Sequence, residues 1–370
     1  IKDGKYMYRT YILRLKPNKT QTKLLDKTIS CVQKFDDIYL NQIKDRYTCS
    51  GFEIIKEARN IDSNLISVDN TILFCELDII QKLKKEKKLA NRFEFKTNYC
   101  KYVESIEDVI SNHTLYLPSI GHIKLFNKRD YDEVEKFISI TVYRTIDEKY
   151  FANILFRKKN KIVDKNLDLN NSIGLDYSSN KFYVDNNGES PKKPTLIRDY
   201  DKEILAMQKK FTELKNDNKP RQKLLTRYCK TQRHVANKRN DFLHKTSTEL
   251  ANKYDYVFAE DISFSEMAKY RKLGKATNDN AYRKFLDILN YKMEDRGKIL
   301  IKIDKNYPSS RRCSNCGYVR EKLPLDERSW ICPECGVVLD RDVNAAINIR
   351  NRGIEIASQQ AAGRAARSYA

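Results

Sequence analysis

Two cysteine pairs, Cys313-Ser-Asn-Cys316 and Cys332-Pro-Glu-Cys335, restrict what the last sixty or so residues of this chain can become. Fifteen residues separate the pairs. At that spacing two short turns each present two thiolates to one tetrahedral zinc ion. Gly317 and Gly336 follow the pairs, where such a turn needs a permissive backbone. The surrounding sequence is charged and offers no core in which four cysteines could hide. The spacing therefore predicts a closed, structural zinc site. Five further cysteines (Cys31, Cys49, Cys75, Cys100 and Cys229) are scattered, as expected of buried thiols in a reducing compartment and not of a disulfide framework.

Directly after the second pair comes Leu339-Asp340-Arg-Asp342-Val-Asn344-Ala-Ala-Ile-Asn348. This reads as an Asp opening a helix rich in Ala and Ile. Ala345 and Ala346 would let that helix approach a sheet closely. Two earlier acids end apolar runs, Ile173-Gly-Leu-Asp176 and Val257-Phe-Ala-Glu260. Three acids on two strand ends and a helix start are what a phosphodiester-cleaving site needs. Hard divalent cations select carboxylate oxygens, and two of them about 4 Å apart steady the attacking and leaving oxygens. The reading takes Asp176, Glu260 and Asp342 as ligands of two Mg²⁺, with Mn²⁺ as a substitute. Asp340 and Asp261 are the local competitors; period-two geometry aims Asp261 at the face opposite Glu260.

The rest of the chain reads as what feeds substrate to that site. Lys and Arg number 71 against 50 Asp and Glu, a formal charge of +21, which implies a polyanionic partner, nucleic acid first. No apolar run approaches the roughly 20 residues of a membrane helix, so no membrane partner is expected. Residues 5–16 alternate as a strand ended by Pro17, and Asn18 or Thr20 can cap the helix that follows. Helical spacing continues through 18–100, and strand pairs at 113–126 and 137–156 suggest a small barrel with 18–100 inserted. A hairpin spans 171–186. Between Lys219 and Asn240 eight Lys and Arg occur without an acid, and Lys223, Arg227, Lys230 and Lys238 share one helical face. An apolar stripe of Leu225, Tyr228, Val235 and Phe242 backs it, so the face is a candidate for phosphate contact. Residues 353–370 read as a mobile tail.

Several of these segments resemble the TnpB family of transposon-encoded, RNA-guided DNA endonucleases, relatives of type V CRISPR effectors. The resemblance rests on Gly174-Leu-Asp176, His234-x-x-Asn237-x-Arg239-x-Asp241-Phe, Ala259-Glu260-Asp261, Tyr307-Pro-Ser-Ser310 before the first cysteine pair, Trp330-x-Cys332 and Asp340-Arg-Asp342-Val-Asn344. It is dense from 171 to 350 and weaker, but in order, from 5 to 160. It departs at Ser178, where many members have Gly.

The resemblance implies an α+β multidomain chain with an RNase H-like (RuvC-like) nuclease core. Its boundaries would be a wedge-like barrel at 1–17 and 101–170, a helical recognition domain at 18–100, the nuclease at 171–312 and 336–352, and a zinc-ribbon insert at 313–335. It also implies a guide RNA from the transposon end, a double-stranded DNA target beside a short adjacent motif, displaced single-stranded DNA as a further substrate, and a bacterial or archaeal cytoplasm with nucleoid association. A guided repressor without cleavage and a transposition accessory protein are the alternatives; the three acids favour the enzyme.

Overall fold

The computed structural model describes residues 6–43, 50–85, 99–103, 110–111, 113–126, 134–159, 161, 163–164, 166–178, 181–192, 196–214, 219–262, 281–324 and 326–368. The chain divides into two compact units, Ile1–Asn160 and Lys161–Ala370.

The first unit is a sheet with helices on one face. Strand β1 (Tyr6–Lys16) buries Met7, Leu13 and Leu15 and exposes Tyr8, Thr10, Ile12 and Lys16, so its period-two pattern sets which face meets the core. Pro17 ends it. Asn18 then caps α1 (Lys19–Ile38) in a reciprocal box: the Gln21 N–H donates to Asn18 Oδ1 at 2.9 Å and the Asn18 N–H to Gln21 Oε1 at 3.1 Å. Leu25, Ile29, Val32 and Phe35 form the buried stripe of α1. Helices α2 (Gly51–Ile61) and α3 (Asn70–Lys85) add Ile54, Leu73 and Ile80 to the same core.

Beyond them lie β2 (Tyr99–Val103), β3 (Ile110–Ser111), β4 (Thr114–Leu117), β5 (Gly121–Leu125), β6 (Lys136–Arg144) and β7 (Tyr150–Lys159). With β1 they make a seven-stranded antiparallel sheet in the order β2-β6-β7-β1-β5-β4-β3. The hairpins read from the sequence, β4 with β5 and β6 with β7, are both present.

The second unit centres on four strands, β8 (Ser172–Ser178), β9 (Phe182–Asp185), β10 (Tyr256–Glu260) and β11 (Ile299–Ile303), in the order β11-β10-β8-β9. Strands β8, β10 and β11 are parallel and β9 returns antiparallel to β8. Two helices, α4 (Leu196–Glu213) and α5 (Lys219–Lys253), lie between β9 and β10, and α6 (Tyr282–Glu294) precedes β11. A short hairpin of β12 (Ser329–Ile331) and β13 (Val338–Asp340) leads straight into α7 (Arg341–Ser368).

Both faces of the four-stranded sheet are covered. Ile173, Leu175, Val257 and Ala259 pack with Leu243 and Leu250 of α5 and Phe285 of α6. Phe258, Ile301 and Ile303 pack with Ile349 and Ala357 of α7. The α7 backbone lies hard against β8: a Cβ on Gly174 would stand 2.2 Å from the Ala346 carbonyl oxygen. Further along, a Cβ on Gly353 would fall 2.1 Å from the Phe258 ring.

The structure corrects three boundaries. Residues 353–368 are not a tail outside the fold but the second half of α7, because Gly353 and Ala357 pack on the sheet. Tyr99 and Cys100, expected at the end of the helical segment, open strand β2; residues 86–98 lie outside the described residues. Residues 161–170, expected with the first unit, belong to the second, where the Asp164 N–H donates to the Gly297 carbonyl at 3.0 Å and the Asp168 N–H to Asp255 Oδ2 at 3.2 Å. No described helix is long and apolar enough to cross a membrane.

Candidate active site and zinc centre

Alternation along two strands brings the first two acids to one face. Gly174 faces α7, so Asp176, two residues on, faces it too. Ala259 pairs with Leu175, which puts Glu260 level with Asp176 on the adjacent parallel strand. Asp342 enters from α7, in its first turn, where the helix N-terminus favours an anion.

Asp176 is 9% exposed, and burial holds its carboxyl well above the ordinary range. The charges of Glu260 and Asp342 raise it further, while Arg341 opposes them. Burial alone lifts Glu260 to about 7. Tyr282 of α6, fully buried and beside Asp176 and Glu260, keeps its phenol neutral for the same reason. Residues 176, 260 and 342, far apart in sequence, thus come near enough for the charges of Glu260 and Asp342 to act on buried Asp176. Their oxygen donors fit hard divalent cations, and Arg341 and Arg328 offset only part of their charge. Arg328 Nη1 lies 3.4 Å from Asp342 Oδ1 at the solvent side.

The competing acids are occupied elsewhere. Asp340 Oδ1 accepts from the Val343 N–H at 2.9 Å, which makes Asp340 the N-terminal cap of α7. Asp261 is exposed, with Lys302 Nζ 3.9 Å away.

The four cysteines meet as their spacing predicted. Their sulfurs all lie within 4.8 Å of one another, with Cys313 Sγ 3.7 Å from Cys335 Sγ and Cys316 Sγ 3.5 Å from Cys332 Sγ. A tetrahedron with zinc–sulfur bonds of ~2.3 Å has edges of about 3.8 Å, so the arrangement fits zinc. Gly317 and Gly336 adopt φ values of 83° and 71°, the left-handed conformation that each turn needs. Hydrogen bonds from the Asn315 side chain and the Val337 backbone draw the Cys335 thiol down, toward the thiolate that binds metal, while Cys316 beside it is shifted the opposite way. Trp330 is buried in the small cluster with Cys313, Cys332 and Leu339.

Lys223, Arg227, Lys230 and Lys238 are exposed on α5, away from buried Val235. Two of them have neighbours that the segment's own sequence does not supply. Arg227 Nη2 bonds Glu203 Oε1 of α4 at 2.9 Å, and Lys238 Nζ sits 5.5 Å over the Tyr200 ring.

Asn344 and Asn348 were legible only as part of a motif. Their buried side chains reach back to the segment before the first cysteine pair. Their i, i+4 spacing on a helix was the available signal.

Comparison with known proteins points the same way. Residues 156–271 match the family described as "Probable transposase" (OrfB_IS605), and residues 282–349 the one described as "Cas12f1-like, TNB domain". A Streptomyces pristinaespiralis protein named "Putative RNA-guided DNA endonuclease" is 34% identical over 183 residues, 50% of this chain and 45% of that one. The chain thus spans under half the length of that relative. The "TnpB-like protein L79" of Acanthamoeba polyphaga mimivirus is 28% identical over 149 residues, 38% of this chain and 28% of that one. Among solved structures, the Cas12f1 chain of the cryo-EM Cas12f1–sgRNA–target DNA complex shares the fold, with a TM-score of 0.51 at 14% identity over 94% of this chain and 99% of that one.

Proposed function

The chain belongs to the TnpB family, and from that premise we propose that it is an RNA-guided DNA endonuclease. It would cut at guide-matched sites beside a short adjacent motif and also take displaced single strands as substrate. Its second unit would be an RNase H-like nuclease core and the sheet of its first unit a wedge-like barrel. The observation that supports this reading is that Glu260 and Asp342 come near enough to buried Asp176 for their charges to act on it.

Two bound divalent ions would supply an activated water and charge stabilisation at the leaving oxygen. The chain's own part is rigidity. Asp176 and Glu260 sit on neighbouring parallel strands with both faces covered, and Asp342 sits on a helix that Gly174 admits to van der Waals contact. Misplacement of such groups by about 1 Å costs on the order of 100-fold in rate. The four thiolates close the zinc site completely, so zinc is structural and not the hydrolytic metal.

Nucleic-acid partners are supported by charge. The seven strands of the first unit contain ten Lys and Arg and no Asp or Glu. In a guided nuclease, pairing reads the sequence and the protein grips the backbone.

The test is to purify the chain expressed with flanking transposon DNA and sequence the RNA that accompanies it. One RNA of defined 5′ structure, with Mg²⁺-dependent cutting of DNA matched to it and none in EDTA, is the expected result. Guide-directed binding without cutting in Mg²⁺ or Mn²⁺ would leave a repressor, and heterogeneous RNA would overturn the guided reading.

A further inference from the structure

The strongest unexplained feature of the second unit is a pair of buried amides. Asn344 and Asn348, 1% and 2% exposed, sit one turn apart on α7. Asn344 Nδ2 donates to the Arg312 carbonyl at 2.7 Å, and Asn348 Nδ2 donates to the same carbonyl at 2.6 Å. Asn348 Nδ2 also reaches the Ser309 carbonyl at 2.9 Å, and Asn344 Oδ1 accepts from the Ser314 N–H at 2.9 Å.

Arg312 and Ser314 flank Cys313, the first zinc ligand. The peptide groups on both sides of that ligand are therefore pinned to α7, two and six residues from Asp342. The other end of the ribbon is tied to the same turn. The Arg341 N–H donates to the Arg328 carbonyl at 2.9 Å, Arg341 Nη1 to the Pro324 carbonyl at 2.6 Å, and Asp340 pairs with Ser329 in the β12–β13 hairpin. The segment from 313 to 340 is a loop closed twice, by four thiolates at its tip and by two amides at its base.

Only an amide serves here. Asn344 must accept from one backbone N–H and donate to carbonyls with the same side chain. A carboxylate would set oxygen against oxygen, and a glutamine would need room for another methylene in a closed slot.

We propose that Asn344 and Asn348 are positioning residues that join the zinc ribbon to the Asp342 helix, so that metal binding at the thiolates and at the carboxylates is coupled. This rests on the reading that the three carboxylates hold divalent metal. Linkage makes the coupling reciprocal: if zinc tightens Mn²⁺ binding by some factor, Mn²⁺ tightens zinc by the same factor.

The experiment uses the full, zinc-loaded chain, with Mn²⁺ as the probe, read by electron paramagnetic resonance. A second readout is the rate at which a chromogenic chelator takes zinc. In the wild type, Mn²⁺ should slow zinc release. In N348A, zinc content and helicity should hold, while Mn²⁺ affinity falls about 10-fold, within the roughly 5–150-fold typical of coupling between two sites. Mn²⁺ should no longer slow its zinc release. N344A should do the same or more; if it fails to retain zinc, N348A, which keeps the Ser314 bond, carries the test.

A merely structural role would lower thermal stability and leave Mn²⁺ affinity unmoved. Tight Mn²⁺ binding by N348A, with wild-type protection of zinc, would overturn the proposal. Mn²⁺ binding that survives D342A would instead overturn the carboxylate reading, and the two failures are told apart by that control.

Discussion

The seven-stranded sheet of the first unit and the four-stranded sheet of the second treat charge in opposite ways. The first has no acid in any strand, and its outward face carries cations laid on aromatic rings: Arg14 and Lys16 over Phe126, and Arg157 over Tyr6. The second carries Asp176, Asp185 and Glu260 against one cation, Lys302, and helices close both its faces. Most of the first set reach solvent, although Lys158 is buried and Arg144 and Arg157 pair with Asp26 and Glu135, whereas Asp176 and Asp185 of the second are buried. Exposed cations can grip a phosphate backbone at little desolvation cost. Buried acids are costly until a cation joins them, and that cost is what makes a metal site. On the proposed function, binding and chemistry would reside in different sheets and should fail separately.

The largest separation is expected at the acids. Asp176→Ala, Glu260→Ala and Asp342→Ala should each lower single-turnover cleavage by several kcal/mol of barrier, roughly a thousandfold or more. Affinity for guide and target, measured by filter binding, should stay within about twofold. Asp340→Ala removes only the helix cap, at about 1 kcal/mol of stability, and should still cut. Cutting that survives Asp342→Ala and dies in Asp340→Ala would exchange the roles of the two aspartates.

A backbone contrast comes next. Gly174→Ala would drive a methyl into the Ala346 carbonyl and push α7, with Asp342, off β8. It should cost about 1–3 kcal/mol in denaturant unfolding and depress cleavage with it. Gly121→Ala in the first unit meets nothing within 4 Å and bears only the strain of φ = +84°, about 1–2 kcal/mol, with Mn²⁺ affinity unchanged. Equal losses of metal affinity in the two variants would show that the contact of α7 with β8 does not set the site.

pH should act on the two units with opposite sign. In metal-free protein Glu260 titrates near 7 when folded, against an ordinary 4.5, and Asp176 is displaced in the same direction. Between those values the folded state holds more protons than the unfolded one. Stability from these groups is therefore present below about pH 4.5 and falls as pH rises toward 7. Glu53 and Asp62 of the first unit, held below their usual range by the Ser50 and Asn64 backbone amides, behave the other way and lose their contribution in acid. Mg²⁺ should raise the melting temperature of the chain at pH 8 and barely move it at pH 5.5. Glu260→Gln should flatten the dependence between pH 5 and 8; an unchanged profile would mean that Glu260 titrates normally.

How much of this was legible in the sequence follows from how local each signal is. The cysteine spacing needs nothing beyond 23 residues, and the sulfurs meet as it requires. Asn18 capping through Gln21 is likewise local. The sheet positions of Asp176 and Glu260 follow from period two. What could not be read depends on a distant partner. Ala- and Gly-rich residues after 352 resemble a tail until Phe258 is known to lie under Gly353; the smallness of Gly353 and Ala357 records close packing, not freedom. Asp340 and Asp342 are alike until the Val343 N–H selects one as the cap. The acid that answers Arg227 comes from α4, outside the segment whose lack of acids made the basic face conspicuous.

That last contact sharpens the smallest prediction. Each phosphate neutralised by a free cation releases condensed counterions, worth about 0.7–0.9 in the slope of log affinity against log salt. Lys223, Lys230 and Lys238 each count fully on this basis. Arg227 already has Glu203 as its counterion and should release less. Changing all four to Gln should therefore flatten the slope by about two to three units, and Arg227→Gln alone by well under one. Helix content should hold, because Gln is a good helix former. The loss should be similar for all sequences, since phosphates carry none of the sequence information. The comparison variant changes Arg14, Lys16, Lys101 and Lys124 of the first unit to Gln; none of these has an acid in its own or neighbouring strands. It should flatten the slope for guide RNA alone, and the α5 variant the slope for a guide–target hybrid, because α5 lies between two acid-bearing strands of the four-stranded sheet. A slope unmoved by the α5 changes for either ligand would make that face solvated surface and leave the grip to the acid-free sheet.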